Sequence, residues 1–272
     1  MTTHSDLLSH FSLTHLPFSK EIAVEQLIHL PSFEKAFSLA QLLVESRGIG
    51  LMIGKSGTGK SCLLRLLVTS MHPGLYKPVY ICHTSCGLTE FYTHICAGLG
   101  LQPTSRRSRM FRMIQERILS LAKSDRIHCV LLIDEAHHLA TDILKEIRLL
   151  TNFEVDSYNA LTVLLCGHED LRLRSALSLL EPLFNSITIT IPVDGLPKEE
   201  SFAYIEGRLA QCGASTSVFT KNALELAHQA SGGIMRALNT IAHASLLNAY
   251  MKKSLQVEAE HVKASIERSR EM

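Results

Sequence analysis

The hydrophobic positions of residues 32–195 form two alternating patterns: short apolar runs and segments with helical spacing. The runs are continuously apolar or rich in β-branched residues, which is typical of buried strands. The predicted strands are residues 51–53, 76–82, 127–133, 161–166 and 187–191. Strands that are joined by helices lie parallel, and the run at 127–133 is apolar enough to be covered on both faces. The pattern therefore predicts an α/β fold with a parallel five-stranded sheet flanked by helices.

The pattern changes at both ends of this region. Residues 1–31 predict a loop-rich lead-in that is punctuated by Pro17 and Pro31. After Pro197 only helical patterns remain, at residues 198–211, 220–230, 234–250 and 258–268. We therefore predict three parts: an N-terminal lead-in at 1–31, an α/β domain at 32–195 and a small all-helical lid domain at 196–272.

Composition narrows the function only slightly. The 272 residues carry 27 Lys and Arg against 26 Asp and Glu, so any nucleic-acid surface must be a local patch. The 7 cysteines are scattered and form no Cys-x-x-Cys pair, which fits a reducing compartment. The chain shows no signal peptide, and no apolar run approaches the roughly 20 residues of a membrane span. We expect a soluble cytoplasmic protein without a membrane partner.

The strongest motif is Gly-Lys-Ser-Gly-Thr-Gly-Lys-Ser at residues 54–61, between the first predicted strand and a helical pattern. Glycines let backbone N–H groups converge on phosphate oxygens, and the following helix adds its positive end. Lys60 would reach the β- and γ-phosphates, and Ser61 would place its hydroxyl on Mg²⁺. The alternative is a glycine turn before a helix that contains Lys-Ser by chance. The predicted nucleotide-binding residues are Gly54, Lys55, Ser56, Gly57, Thr58, Gly59, Lys60, Ser61 and Cys62, with ATP and Mg²⁺ as cofactors.

Two acids follow the third predicted strand. Asp134 is the expected partner of Ser61 in holding Mg²⁺, and Glu135 is the expected catalytic base beside the catalytic Lys60. The letters Asp-Glu-Ala-His at 134–137 match a helicase box, but the chain has no second lobe of the kind that a helicase requires. We interpret His137 and His138 as loop residues, and with no second metal-ligand spacing we do not expect zinc.

Other polar residues have two interpretations each. Arg236 follows Gly232 and Gly233 at the start of a lid helix, and it is either a reporter of the γ-phosphate or an arginine on a solvated helix face. His168 ends the fourth predicted strand and is either a γ-phosphate sensor or a structural histidine. The densest positive patch is Arg106, Arg107, Arg109 and Arg112. This patch is either a solvated helix face or a surface for a phosphate backbone.

Several segments together resemble one known family. They are Phe11-x-Leu-x-x-x-Pro-Phe18, the motif at 54–61, Asp134-Glu-Ala136, Leu149-Leu-Thr-Asn-Phe-Glu154 and Ser231-Gly-Gly-Ile-x-Arg236-x-x-Asn239. Over nearly the whole chain they are similar to the AAA+ ATPases of the ExeA/TniB/TnsC group. The resemblance implies a P-loop NTPase of the AAA+ class with a helical lid. It also implies a Mg²⁺-dependent ATPase that forms a homo-oligomer, either a ring or a filament.

That group has two branches, and the resemblance implies different partners for each. Secretion ATPases of the group continue into a transmembrane helix and a cell-wall-binding domain, and this sequence stops at Met272 without either. We therefore expect the other branch, whose members assemble on DNA and regulate or recruit a DDE transposase. The implied DNA contacts are His83 to Cys86, Thr104, Arg106, Arg107 and Arg109. The alternatives are a scaffold ATPase of a secretion system and a helicase-loading or remodelling ATPase of the replication kind.

The sequence departs from the group at one point. Similar sequences place Gln-Arg-Ile before the fifth strand, and its arginine acts in trans, whereas this chain has Asn185-Ser-Ile187. Such an arginine is worth roughly 10³–10⁵ in rate. Either Arg172, Arg174 or Arg148 replaces it, or hydrolysis is slow. We expect weak basal activity that DNA or the transposase stimulates.

Overall fold

The computed structural model describes residues 4–19, 22–214 and 216–270. It contains two compact units. The sheet unit comprises Lys35–Gly54 and Lys60–Val193, and the helical unit comprises residues 1–34, Lys55–Gly59 and 194–272. The five residues Lys55–Gly59 belong to the helical unit. The three-part division at residues 31 and 195 stays a prediction.

The sheet unit is built on five parallel strands. They are β1 (Ile49–Ile53), β2 (Tyr76–Ile81), β3 (His128–Ile133), β4 (Leu161–Gly167) and β5 (Ile187–Pro192). Their order across the sheet is β2-β3-β4-β1-β5, and every pairing is parallel. All residues of β1, β3 and β4 are buried, because continuous apolar runs are covered on both faces. The predicted parallel five-stranded α/β sheet is confirmed.

The described residues form twelve helices in addition to short 3₁₀ and π turns. In chain order they are α1 (His4–His10), α2 (Pro31–Ser46), α3 (Lys60–Ser70), α4 (Leu88–Gly98), α5 (Arg107–Ser120), α6 (Thr141–Leu150), α7 (Asp170–Leu173), α8 (Glu181–Asn185), α9 (Lys198–Gln211), α10 (Lys221–Ser231), α11 (Met235–Met251) and α12 (Ala259–Arg270). None of them is both long enough and apolar enough to cross a lipid bilayer.

The core of the sheet unit lies between the strands and their connecting helices. On α5, Met110, Ile114 and Ile118 recur at the spacing of one helical face, and all three are buried. Burial of each such side chain contributes about 1.5–3 kcal/mol. Gly98 lets α4 approach β2, since a Cβ atom there would lie 2.4 Å from Val79 Cγ1.

The helical unit consists of α9–α12 with the N-terminal lead-in packed on it. Arg208 is buried in α9, where its Nε donates to the carbonyl of Pro17 at 2.9 Å and its Nη1 donates to that of Gln26 at 3.3 Å. The rings of Phe18 and Phe219 pack edge to face, with their centroids 6.5 Å apart. The lead-in is less irregular than predicted, because the short helix α1 forms and buries Leu7.

The register of the sheet brings three functional loops to one edge. Ile53, the last residue of β1, pairs with Gly167, the last residue of β4. Ile133, the last residue of β3, pairs with Leu165. The loops that begin at residues 54, 134 and 168 are therefore neighbours, as expected at the carboxyl ends of parallel strands.

Candidate nucleotide-binding site

The two ends of the phosphate-binding loop lie in the sheet unit. The N–H of Gly54 donates to the carbonyl of Gly167 at 3.3 Å, which fixes the start of the loop to the end of β4. Lys60 opens α3 and is buried, with Nζ donating to the carbonyl of Gly54 at 2.8 Å. A phosphate oxygen offers this ammonium a stronger, charge-assisted hydrogen bond than a neutral carbonyl does. Lys60 is therefore positioned to bind an anion.

The tip of the loop, Lys55–Gly59, lies in the helical unit and contacts Arg236. Gly57 and Gly59 have φ of +86° and +102°, a left-handed region that side chains with a Cβ rarely adopt. The N–H of Arg236 donates to the carbonyl of Gly57 at 3.1 Å, and its Nη1 donates to Ser56 Oγ at 3.1 Å. Arg236 therefore lies directly on the loop tip at the start of α11.

Asp134 and Ser61 come together in the sheet unit. Asp134 follows β3 and is only 5% exposed. Its Oδ2 accepts a hydrogen bond from Ser61 Oγ at 3.1 Å, and its Oδ1 accepts one from the N–H of Glu135 at 2.9 Å. An octahedral Mg²⁺ with bonds of about 2.0–2.1 Å spaces neighbouring ligands roughly 2.9 Å apart. The hydroxyl and the carboxylate therefore fit two adjacent positions of one magnesium shell.

Tyr80 is a member of this group that the sequence did not reveal. It lies on β2 opposite Leu132 of β3, and its hydroxyl donates to Asp134 Oδ2 at 3.0 Å. Burial and the neighbouring carboxylate raise the pKa of Tyr80, so the hydroxyl remains a donor. Nothing in the alternation of β2 distinguishes this tyrosine, because the contact depends on the register of β2 against β3.

Glu135 is held in an unusual backbone conformation. Its φ of 51° lies in the left-handed region, which costs a residue with a side chain on the order of 1–3 kcal/mol. The hydroxyl of Thr84, a buried residue after β2, donates to the Glu135 carbonyl at 3.0 Å and secures this turn. The Glu135 side chain is 50% exposed. The turn therefore presents a carboxylate to solvent beside the buried Asp134.

Three histidines surround this carboxylate. The rings of His137 and His138 have centroids 4.0 Å apart, and those of His137 and His168 have centroids 6.1 Å apart. Burial and the neighbouring His138 lower the pKa of His137, so its ring is neutral near pH 7. The N–H of His168 donates to His137 Nδ1 at 3.3 Å, and that nitrogen lies 3.4 Å from Glu135 Oε2. The predicted sensor His168 thus reaches the predicted base Glu135 through His137.

The three candidate finger arginines differ in what they contact. Arg148 pairs with Asp156 at 2.7 Å. Arg174 donates to the carbonyl of Leu139 at 2.6 Å and to Thr141 Oγ1 at 3.0 Å. Arg172 is exposed, and its guanidinium has no hydrogen bond or ion pair within the described ranges. Of the three, Arg172 is the arginine whose guanidinium has no partner among the described residues.

Four of the predicted DNA contacts lie at or just before the start of α5: Thr104, Arg106, Arg107 and Arg109. Arg106 precedes the helix, and the hydroxyl of Thr104 donates to its carbonyl at 3.4 Å. The first turn of the helix contains no acidic residue. All four patch arginines are exposed, and none forms an ion pair with an acid in the part of the chain that the structure describes: Arg106, Arg107, Arg109 and Arg112.

Comparisons with known proteins agree with this geometry. Residues 43–174 match the AAA domain family. General secretion pathway protein A of Aeromonas hydrophila is 32% identical over 218 residues, which cover 79% of this chain. The chain spans 39% of the length of that curated relative.

Solved structures share the fold at low sequence identity. Cdc6p from Pyrobaculum aerophilum has a TM-score of 0.69 at 21% identity, covering 92% of this chain and 69% of that one. The Aeropyrum pernix ORC1 protein in complex with DNA has a TM-score of 0.67 at 15% identity, covering 93% and 68%. The RuvB Holliday junction branch migration motor of Thermotoga maritima has a TM-score of 0.61 at 16% identity, covering 93% and 73%.

The sheet order, the phosphate-binding loop and these matches agree with one another. Residues 43–174 are an AAA domain of the P-loop NTPase fold, and the chain is related to general secretion pathway protein A.

Proposed function

We propose that this protein is a Mg²⁺-dependent ATPase that assembles on DNA and regulates or recruits a transposase. The observation that carries the ATPase part is the group of Ser61, Asp134 and Glu135 at the end of β3. In this group a hydroxyl and a carboxylate that would share one metal ion lie next to a second, solvent-facing carboxylate. This is the arrangement that hydrolysis of a bound nucleotide requires.

Each residue has a separate task in the proposed reaction. Lys60 and the loop N–H groups bind the β- and γ-phosphates of ATP, and Ser61 and Asp134 hold the metal ion. When bound, Mg²⁺ neutralises charge that develops on the phosphate oxygens. Glu135 orients the attacking water and accepts its proton. Arg236, on the loop tip, is the proposed reporter of the γ-phosphate.

His137 keeps Glu135 available for this task. In the neutral ring, Nδ1 accepts a hydrogen bond from the backbone N–H of His168. It therefore carries no proton that could be donated to the nearby Glu135 Oε2. Glu135 Oε2 can therefore accept a proton from water. A protonated His137 would instead pair with Glu135 and weaken the base. His168, which positions His137, supports catalysis indirectly in this proposal.

The proposed basal rate is low, because Asn185 and Ser186 stand where related sequences place the trans-acting arginine. An exposed arginine that reaches the nucleotide site of a neighbouring subunit could replace this trans-acting arginine, and Arg172 is the best candidate. Turnover would then depend on assembly into a ring or filament. With such coupling, the ATP-bound oligomer is the active state, and the rate of hydrolysis sets how long that state lasts.

The observation behind DNA binding is the unpaired charge at the start of α5. The N-terminus of a helix already carries partial positive charge, so arginines in the first turn are electrostatically unfavourable. Arg107 and Arg109 lie in that turn, Arg106 precedes it, and no acid in the turn compensates them. A surface that retains this charge is suited to a phosphate backbone. The segment His83 to Cys86, in the loop after β2, is proposed as a second contact.

A second function is favoured by the match to general secretion pathway protein A. In that case the protein is a nucleotide-gated scaffold for a secretion system, and it binds proteins rather than DNA. A helicase-loading or remodelling ATPase would bind DNA as well and is distinguished by its partner. Affinity purification would then recover a replicative helicase instead of a transposase.

The test is DNA binding without nucleotide, with ADP and with a non-hydrolysable ATP analogue, while light scattering follows particle size. We expect salt-sensitive binding and large assemblies only with the ATP analogue. The double variant Arg106→Glu/Arg107→Glu should lose binding. Arg65→Glu/Lys145→Glu makes the same charge change at two exposed sites outside the patch and should keep it. Binding in no nucleotide state, or equal binding by both variants, would contradict the DNA proposal.

A further inference from the structure

A group of three metal-ligating side chains lies outside the nucleotide site. His83 belongs to the loop after β2, while Glu90 and His94 lie one turn apart on α4. Residues four positions apart on a helix share one face, so Glu90 and His94 point the same way. One ligand atom from each of the three residues lies within 4.8 Å of the others.

Two of the three ligand–ligand distances are close to those around a small tetrahedral ion. His83 Nδ1 lies 3.4 Å from Glu90 Oε1, and His94 Nε2 lies 4.0 Å from the same oxygen. Zn²⁺ with bonds of about 2.0–2.1 Å spaces its ligands roughly 3.3–3.4 Å apart. The first pair already has this separation. The second pair needs a shift of less than about 1 Å, which the half-exposed side chain of Glu90 can make.

His94 provides the second, independent observation. Its Nε2 is shielded from solvent and has no hydrogen-bond partner among the residues that the structure describes. The 4.0 Å separation from Glu90 is too long for a hydrogen bond. A buried ring nitrogen without a hydrogen-bond partner is unfavourable, and such atoms call for an explanation. A bound cation supplies the missing partner.

We propose that His83, Glu90 and His94 bind one divalent transition-metal ion of the Zn²⁺ class, with water as the fourth ligand. Imidazole and carboxylate together suit zinc, whereas Mg²⁺ and Ca²⁺ prefer oxygen alone. The ion would fasten the loop after β2 to α4. It takes no part in the proposed ATPase reaction, and its presence does not depend on the proposed function.

Zinc was not expected from the sequence, because His83, Glu90 and His94 form no recognised ligand spacing. The site becomes visible only when the loop after β2 folds back on α4. The rings of His83 and His94 then have centroids 5.5 Å apart. A second compact group, Glu135, His137 and His138, belongs to the nucleotide site and must be separated from this one by experiment.

The experiment is a zinc titration of untagged, chelator-treated full-length protein in competition with a chromophoric chelator. We expect one tight equivalent of Zn²⁺ in the wild type. His83→Gln and His94→Gln should each weaken that equivalent by at least about 100-fold, since loss of a ligand exceeds the 10–100-fold cost of losing an outer-shell partner. His72→Gln changes an exposed histidine elsewhere and serves as the matched control.

Two further measurements make the result decisive. Zn²⁺ should raise the melting temperature of the wild type and of His138→Gln, but not that of His83→Gln. Because His83 is exposed, its substitution should not prevent folding. Co²⁺ in place of Zn²⁺ should give four-coordinate visible absorption that both ligand variants lose. The proposal is overturned if the tight equivalent survives in both ligand variants. It is also overturned if His138→Gln removes that equivalent, or if all variants bind only weakly and alike.

Discussion

Ser61 and Asp134 are joined by a hydrogen bond of 3.1 Å from the hydroxyl to the carboxylate, although 73 residues separate them in the chain. One opens α3 and the other follows β3, and the parallel register of β1, β4 and β3 brings the two strand ends together. Without a metal ion, the Ser61 hydroxyl proton is bound to the lone pair of Asp134 Oδ2 that a cation would otherwise use. A bound Mg²⁺ would be held by these two oxygen atoms in place of the hydrogen bond between them.

Tyr80→Phe should weaken Mg²⁺ binding about 10-fold, at the lower end of the range for loss of an outer-shell partner. The hydroxyl of Tyr80 orients Asp134 Oδ2, and the substitution removes only that oxygen atom. The check is a Mg²⁺ titration of nucleotide binding. Affinity for nucleotide without Mg²⁺ should not change. Tyr76→Phe, on the same strand, should behave as wild type, and an equal effect of both substitutions would contradict the role of Tyr80.

Glu135→Gln should reduce ATP hydrolysis by about 10²–10⁴-fold, the usual contribution of a general base, and leave ATP binding intact. Glutamine has nearly the same shape but cannot accept the proton of water. Lys60→Ala should instead reduce nucleotide affinity, because it removes the buried ammonium at the start of α3. Equilibrium binding of a fluorescent ATP analogue and single-turnover hydrolysis separate the two effects. Fast hydrolysis by the Glu135→Gln variant would exclude this residue as the base.

Much of the fold could be predicted, because its signals are local. The runs at 127–133 and 161–166 are continuously apolar, and only strands that are buried on both faces require this. Asp134 and Glu135 were predicted as site residues for the same reason, since they directly follow such a run. The phosphate-binding loop adds a motif in which each position has a separate physical task.

The features that were missed depend on contacts between distant segments. Tyr80 reaches Asp134 only because β2 pairs with β3 in one particular register. Thr84 supports the Glu135 turn across a gap of 51 residues. The sequence could not rank Arg148, Arg172 and Arg174, because their local patterns are alike and only their partners differ.

Arg172→Ala should leave ATP binding and stability unchanged and reduce assembly-dependent hydrolysis by about 10³-fold or more, the range measured for trans-acting arginines. The decisive measurement mixes Arg172→Ala subunits with Glu135→Gln subunits. Each variant alone should be inactive, but a neighbour with Glu135→Gln can still supply Arg172 to a subunit with an intact base. Recovery of activity in the mixture supports a finger in trans, and its absence argues against one.

Arg174→Ala is the matched comparison. It should lower the free energy of unfolding by about 1–3 kcal/mol, because it leaves the Leu139 carbonyl without its charged donor. Urea denaturation of the two variants checks this contrast. If Arg172→Ala is the less stable of the two, its side chain has a structural role and is not free to act on a neighbour.

His128 should make the stability of the sheet unit depend on pH. It is 4% exposed at the start of β3, and burial, assisted by the positive charge of Arg47, lowers its pKa from 6.5 to about 4. The folded protein therefore binds the His128 proton only below about pH 4, whereas the unfolded chain binds it below 6.5. Stability from the neutral ring is complete above pH 6.5 and is lost as the pH falls towards 4. The loss is about 3 kcal/mol, at 1.36 kcal/mol for each unit of pKa.

The measurement is the urea midpoint of the wild type and His128→Gln at several pH values between 7.5 and 4. Carboxylates that become protonated in this range destabilise both proteins alike, so the difference between the two isolates His128. Glutamine can retain a hydrogen bond with Thr162, the partner of His128 Nε2 at 2.8 Å, and cannot become charged. The variant should therefore lose less stability than the wild type on acidification, while His72→Gln should follow the wild type. Parallel curves for wild type and His128→Gln would mean that the buried ring is already protonated, or that the acid-unfolded state retains the strand.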